Sequence, residues 1–593
     1  MAQEQATRGL RLWPGWVLVA LAWIITHGSG MVAPATMVQF FGMMIGPLVG
    51  LVGILVWWLF ASRAPKGDRW LGLLVLVVVP VLTFILAHPS TPMAIVVYGF
   101  PILCLAFVLW AALTQRWAAS PRRWSLVAVV LVAIGSWVLV RAEGIHGDMS
   151  WDFAWRWAET PEEELLEAVA SEEVLAPPQA EIGEAVWPGF RGAQRNSVVP
   201  GVALATDWSA SPPEELWSRP VGPGWSSFAV AGDLLYTQEQ RGEQEAVSCY
   251  RASTGEPVWI HEDPARFWEP MAGTGPRATP TVHRGRVYAL GATGILNALN
   301  ALDGSRLWRR DVAEDTGAKT PEWGFSSSPL VVDGLVVVHT GAPDGKAVVA
   351  YDELSGEPRW FAPAGALSYS SVHLATLHGV RQLLIVTGDG VTSLAPADGS
   401  VLWRHEWPAG GGARVTQPWV LEDDTVLVGT SFGLGTRRLA PTKDAGSWSV
   451  AEVWTTRRLK PYYNDFVVHG GHVYGFDGRI LTCIGVEDGE RAWKGGRYGN
   501  GQMLLLPEQD LLLVISDRGD VALVEAAPGA YTEVARIAAI EGKTWNHPVI
   551  ADGVLYVRNG EEMAAFRLPM KSGKTSSNKV AEVAAAELPS HTP

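Results

Sequence analysis

"LTCIGVEDGERAWKGG", residues 481–496, reads as a strand, a tight turn at Asp488-Gly489 and a second strand ending on Trp493. The same outline returns in "SCYRASTGEPVWIHE" (248–262), "LNALDGSRLWRRD" (299–311), "VVAYDELSGEPRWFA" (348–362) and "TSLAPADGSVLWRHE" (392–406). The turn glycine supplies the positive φ of a short connection, and the tryptophan offers a flat face to pack between sheets. The repeating Trp falls at 259, 308, 360, 403, 454 and 493, at spacings of 49, 52, 43, 51 and 39 residues. Periods of about 40 to 50 built only from strand and turn signals specify propeller blades, not helical solenoids.

Inner strands start near Ser227, Thr279, Ser327, Ser371, Gln417, Asp465, Gln502 and His547, which predicts an all-β eight-bladed propeller over residues 205–569. The last unit lacks its Trp strand, and "PEELWSRPV" with Trp217 stands ready upstream to supply it, closing the ring without open sheet edges. Seven blades is the competing count, because "VALVEAAPGAYTEVARI" has lost its Trp. The repeat tryptophans are structural in this reading.

Ahead of the repeats lie five apolar runs, at about 12–27, 35–61, 70–88, 93–114 and 124–140. Each is near the ~20 residues that cross a bilayer as helix, so residues 1–141 read as a five-helix transmembrane anchor. Arg8 and Arg11 precede the first run, Arg63, Lys66 and Arg69 follow the second, and Arg116, Arg122 and Arg123 follow the fourth. The intervening loops "THGSGMVAPA" and "HPSTP" carry no Lys or Arg. By the positive-inside rule the amino terminus is cytoplasmic and the propeller lies outside, on the periplasmic side of a bacterial inner membrane. The runs contain no Asp, Glu, Lys or Arg, which favours anchoring over transport.

A balance of +7 over the first 141 residues leaves −21 for the remainder of a chain whose net charge is −14. So acidic a body repels nucleic-acid phosphates and excludes that class of partner. Residues 142–204 read as an acidic linker and lead-in, with nine acids and no base from Glu159 to Glu184. The tail, 570–593, has a disordered composition. Cys104, Cys249 and Cys483 are scattered and read as small buried side chains.

The turn-to-Trp units at Gly255/Trp259, Gly304/Trp308, Gly356/Trp360, Gly399/Trp403 and Gly489/Trp493 resemble the repeat of the pyrroloquinoline-quinone (PQQ) propeller family. "WPGFRGAQRN", residues 187–196, resembles the lead-in segment of bacterial PQQ-like repeat proteins. That resemblance implies one of two things. The chain is a membrane-tethered ligand- or protein-binding module with an envelope protein partner and no cofactor. Alternatively, it is a PQQ-dependent dehydrogenase of sugars or alcohols that passes electrons to membrane quinone.

A quinone with three carboxylates needs cations, an aromatic face and oxygen ligands around a Ca²⁺, and a dehydrogenase adds a carboxylate base. The loops entering the inner strands offer candidates for each role. Asp465 is the candidate base, and Asn464 and Asp465 are the candidate Ca²⁺ ligands. Arg277, Arg414 and Lys460 are candidate clamps, Trp323 and Trp545 stacking faces, and Asn546 a further contact. The same polar residues read equally as caps on the inner-strand ends. No C-x-x-C-H is present, which excludes a fused haem.

Overall fold

Eight four-stranded antiparallel sheets follow one another along the chain and close into a ring. The computed structural model describes residues 10–32, 37–146, 150–170, 182, 185–365, 368–410, 414–430 and 433–571. The tail beyond 571 and most of the acidic stretch 171–184 lie outside the described residues. In seven blades the four strands are consecutive. In the eighth, Glu214–Pro220 pairs with Glu562–Arg567 as the outer strand, so the start of the propeller completes its end. The blade without a Trp is the seventh: Ala535 pairs with Leu523 at the position where Trp308 pairs with Ala298 and Trp493 with Cys483. The count is therefore eight.

The repeat explains itself at the contact between blades. The indole N–H of Trp259 in blade 1 donates to the Ala301 carbonyl of blade 2 at 3.0 Å. Trp308 donates to Glu353 O at 3.0 Å, Trp360 to Pro396 O at 3.1 Å and Trp493 to Ala527 O at 2.7 Å, each reaching the turn of the following blade. Trp217 closes the ring in the same way, onto Ala252 O at 3.0 Å. Trp403 departs from the pattern and donates to Gln382 Oε1 of its own blade at 2.6 Å. At five joints the turn glycine of the following blade lies beneath the indole: Gly255 under Trp217, Gly304 under Trp259, Gly356 under Trp308, Gly399 under Trp360 and Gly489 under Trp454. Gly304 has φ 70°, and a Cβ there would sit 2.5 Å from the ring of Trp259. The turn thus requires glycine twice, for its dihedral and for the neighbour's ring.

The five apolar segments form helices long and apolar enough to span a membrane: α1 (Trp13–Val32), α2 (Val38–Ala61), α3 (Lys66–Leu86), α4 (Pro92–Leu113) and α5 (Ala119–Leu139). Helices α1 and α2 approach closely through small residues; a Cβ on Gly46 would meet Thr26 Oγ1 at 2.5 Å, and one on Gly50 would meet Ala22 Cβ at 2.6 Å. Asp68, at the start of α3, pairs with Arg122 at 3.3 Å and Arg123 at 2.8 Å on α5. The three cysteines are free and buried.

Residues after α5 join the two regions. A hairpin of β1 (Val140–Ile145) and β2 (Trp151–Trp155) leads to helix α6 (Pro161–Ala170). On the bundle side, Ala142 N donates to Ser90 Oγ at 2.9 Å and Arg156 donates to Leu86 O at 3.0 Å, while Phe153 meets Trp137 edge-on at 5.5 Å. On the propeller side, Ile145 N donates to Met271 O at 3.4 Å, and Glu162 of α6 bridges Arg266 and the Gly242 N–H, both at 2.8 Å.

Gly304→Ala should destabilise the propeller by about 2 kcal/mol, since it combines a strained dihedral with overpacking against Trp259. A thermal-unfolding midpoint unchanged from wild type would show that the blade contact tolerates the added methyl.

Candidate functional site

Each inner strand begins at the propeller axis, so eight strand starts converge there. Ser227, Thr279, Ser328, Ser371, Gln417, Asp465, Gln502 and His547, one from each blade, line a cavity of about 210 Å³. Sequence spacing marks seven of these eight positions; in blade 3 the lining residue is Ser328, the neighbour of the expected Ser327.

These polar groups bond around the ring. Ser227 N donates to Thr279 Oγ1 at 3.0 Å, Thr279 N to Ser328 Oγ at 3.0 Å, and Ser328 N to Ser371 Oγ at 2.9 Å. Gln417 N donates to Asp465 Oδ1 at 2.6 Å, so Asp465 holds the acceptor position that a hydroxyl fills in other blades. Ser227 Oγ donates to His547 O at 2.6 Å. The belt satisfies backbone groups that the sheets leave open at the axis.

Beneath the belt lies the lead-in segment. Trp187 pairs with Val230 of blade 1, the Val282 amide of blade 2 donates to Pro188 O at 2.7 Å, and Val199 N donates to Leu505 O of blade 7 at 2.9 Å. Arg191, 1% exposed, approaches Asp465 at 3.4 Å and donates to Ser197 Oγ at 2.7 Å, which in turn meets His547 Nε2 at 2.8 Å. Arg195 donates to the Ser328 and Pro329 carbonyls at 3.0 and 3.1 Å. The segment is a plug, and its two guanidiniums set the electrostatics of the floor. Burial raises the Asp465 pKa despite the opposing pull of Arg191. Burial and the two arginines depress His373 to about 3; burial and Arg191 do the same to His547.

Above the belt the walls are aromatic. Trp225 meets Trp545 at 4.8 Å, Trp545 meets Tyr463 at 4.5 Å, and Tyr463 meets Tyr462 at 4.9 Å between ring centroids. Across the axis Trp323 packs on Tyr369 at 5.0 Å. Behind Trp225 and Trp545, Lys543 sits 3.8 Å from the Trp545 centroid and donates to Met271 O at 3.1 Å; burial lowers its pKa to about 7. Ile145 and His146 of the hairpin line the cavity's mouth.

Of the residues singled out from sequence, Arg277, Trp323, Asp465 and Trp545 line this cavity. Arg414 is buried outside it, its guanidinium 4.4 Å over Trp407. Lys460 pairs with Asp477 and donates to Arg457 O at 2.7 Å. Asn464 Oδ1 accepts from Tyr462 N at 3.0 Å, and Asn546 donates to the Gly224 and Ser226 carbonyls at 3.1 and 2.7 Å. Sequence reading passed over Arg191, His547 as a floor group, and Met271; the lead-in motif carrying Arg191 was visible, but its partner was not.

PQQ with Ca²⁺ asks this cavity for free cations and a cluster of oxygen donors. Arg277 lines the wall, yet its guanidinium donates to Trp323 O, Thr274 O, Gly275 O, Gly273 O and Glu269, at 2.7 to 3.2 Å. All five donors of an arginine are thereby engaged. Asp465 faces Arg191, and Asn464 is turned to its own loop. Among the described residues, no group of three or more His, Cys, Asp or Glu side chains is arranged to hold a metal. The residue set does not fit a tricarboxylate with calcium.

A family profile described as outer membrane protein assembly factor BamB matches residues 205–322 and 318–495. The protein of that name from Yersinia pestis is 25% identical over 281 residues, covering 45% of this chain and 66% of that protein. The one from Shewanella oneidensis is 25% identical over 388 residues, 60% of this chain and 89% of its own length. Among solved structures, quinohemoprotein alcohol dehydrogenase from Comamonas testosteroni matches with 11% identity and a TM-score of 0.46, over 71% of this chain and 86% of that one.

A histidine whose folded pKa lies below its unfolded value contributes stability that is present above about pH 6.5 and lost as pH falls. His547→Gln removes one such titration, so the variant should lose about 2 kcal/mol less than wild type between pH 7 and pH 5. Parallel acid limbs in thermal unfolding would contradict a buried neutral His547.

Proposed function

The chain belongs to the PQQ-repeat β-propeller family, and from that premise we propose that it is a membrane-tethered binding module of the bacterial envelope. Its five apolar helices anchor it in the inner membrane, and its propeller works on the periplasmic side, presenting its outer surface to envelope protein partners. The basic residues flanking the helices support this orientation. The similarity to assembly factors supports the class of partner.

One observation carries the reading: the ionised groups at the axis are partnered inside the protein. Asp465 is opposed by Arg191 and Arg277 by Glu269, at 3.4 and 3.2 Å. A general base must meet the proton it abstracts, and a carboxylate clamp needs free donors. Here both have been built into the floor and wall. The hairpin at the mouth keeps bulky partners off the axis. The blade edges, by contrast, expose apolar side chains such as Leu354, at 66%, and Phe361, at 36%.

Three measurements test this. Detergent-purified protein mixed with PQQ and Ca²⁺ should retain no cofactor through gel filtration and reduce no dye with alcohols or aldoses. Stoichiometric retention with dye reduction would replace the binding module with a dehydrogenase. A Ser305→Cys variant should react with a membrane-impermeant maleimide in spheroplasts; labelling only after lysis would place the propeller in the cytosol. A photo-reactive residue at Phe361 should capture an envelope protein in intact cells, and capture of none would remove the partner role from that edge.

A further inference from the structure

The hairpin that joins the bundle to the propeller also fixes which face of the ring looks toward the helices. Ala142 touches the bundle at Ser90, and Ile145 touches the propeller at Met271. At about 3.3 Å per strand residue, those two contacts lie roughly 10 Å apart along the chain. Gly242, held by Glu162 of α6, sits in the turn between the second and third strands of blade 1. Arg266 and Met271 sit in the loop that enters blade 2. In an antiparallel four-stranded blade such turns and entry loops share one end. That end of the propeller is the one turned toward the helices.

The hairpin region itself is built for a lipid boundary. Trp155 and Trp157 stack at 5.2 Å between centroids with their planes 9° apart, and both are exposed. Arg156, between them, donates to the carbonyl of Leu86, the last residue of α3, at 3.0 Å. The pair thus stands level with the end of a spanning helix, the depth at which indoles settle among lipid headgroups.

Blades 6 and 7 place a pocket of about 120 Å³ at the same end of the propeller. Three arginines line it. Arg479 comes from the turn between the second and third strands of blade 6, Arg518 from the same turn of blade 7, and Arg497 from the junction that enters blade 7. Arg497 and Arg518 are exposed. Two carboxylates share the pocket. Asp517 accepts from Asn500 N at 3.1 Å and lies 3.8 Å from Arg479, while Asp520 accepts from Arg536 at 3.1 Å. Three guanidiniums against two carboxylates leave an excess of positive charge, a local reversal of sign in an acidic body. The forked guanidinium matches the oxygens of a phosphate, and ~120 Å³, about four waters at ~30 Å³ each, holds one such group and not a nucleotide.

We propose that the arginine pocket between blades 6 and 7 holds the phosphate of an anionic phospholipid headgroup, so that the propeller rests with its entry face on the bilayer around its own anchor. The site shares with the binding-module reading only the placement of the helices in a membrane. It depends neither on the side of the membrane that the propeller occupies nor on a protein docked at Phe361, so either assignment can fail without the other.

Native mass spectrometry of the detergent-purified full-length protein counts the lipids retained after addition of dioleoyl phosphatidylglycerol or dioleoyl phosphatidylcholine. Wild type should retain one more phosphatidylglycerol than the Arg497→Gln/Arg518→Gln variant, whose affinity at this site should fall at least tenfold, and the two should not differ with phosphatidylcholine. Arg381→Gln, an exposed arginine at the opposite end of blade 4, should behave as wild type, and equal unfolding midpoints verify folding of both variants. Equal phosphatidylglycerol retention by wild type and the double variant overturns the proposal. So does displacement of the extra lipid by millimolar inorganic phosphate, which would make the pocket a site for a soluble anion.

Discussion

Five of the eight blade joints share one contact on which the ring is built, an indole of one blade laid over the turn glycine of the next with its N–H on a carbonyl of the same turn. Each element is needed by the others. At these joints the glycine takes a positive φ, and a Cβ there would occupy the ring's place, 2.5 Å from Trp259 at Gly304. Each hydrogen bond contributes only about 1 kcal/mol net, but burial of the indole adds apolar area at each joint. Radial sheets packed this way cannot remain an open row, and closure by Glu214–Pro220 leaves the ring without a first or last edge.

Closure brings eight strand starts to one axis, and that is where the polar residues gather. The belt and the plug turn those residues to structural use. Asp465 stands where Thr279 and Ser328 stand in other blades, accepting a neighbour's amide, and its extra charge is met by Arg191 from below. A carboxylate buried in this way is costly unless paired, so plug and belt stabilise one another. The aromatic tier above is held by its own contacts, with Trp225 donating to Ala272 O at 3.0 Å and Trp323 N donating to the Tyr369 hydroxyl at 3.2 Å.

Much of this was legible in the sequence. Trp spacing gave the blades, the orphan strand at Trp217 gave the closure, and turn signals gave seven of the eight belt positions. The five helices followed from apolar length alone. The site was harder to read because its decisive contacts are remote in the chain. Nothing near Asp465 announces Arg191, far upstream in the lead-in, and nothing near Arg277 announces that local carbonyls and Glu269 take up all its donors. Arg414 and Lys460 sit in rim loops as expected, yet Trp407 and Asp477 draw them away from the axis. Ile145 and His146, which reach the cavity from the side of the helical bundle, belong to a segment whose acidic composition suggests only a connector. Residue type predicts which chemistry a loop can offer. Pairing decides what is left to offer.

At the floor of the axis, Asp465 is paired with Arg191. The most direct measurement is their separation in a density map of the detergent-purified protein prepared with excess PQQ and Ca²⁺. The pair should be intact, with Nε and Oδ2 near 3.4 Å and no cation at the carboxylate. A map with Asp465 turned away from Arg191 onto a bound cation would contradict it.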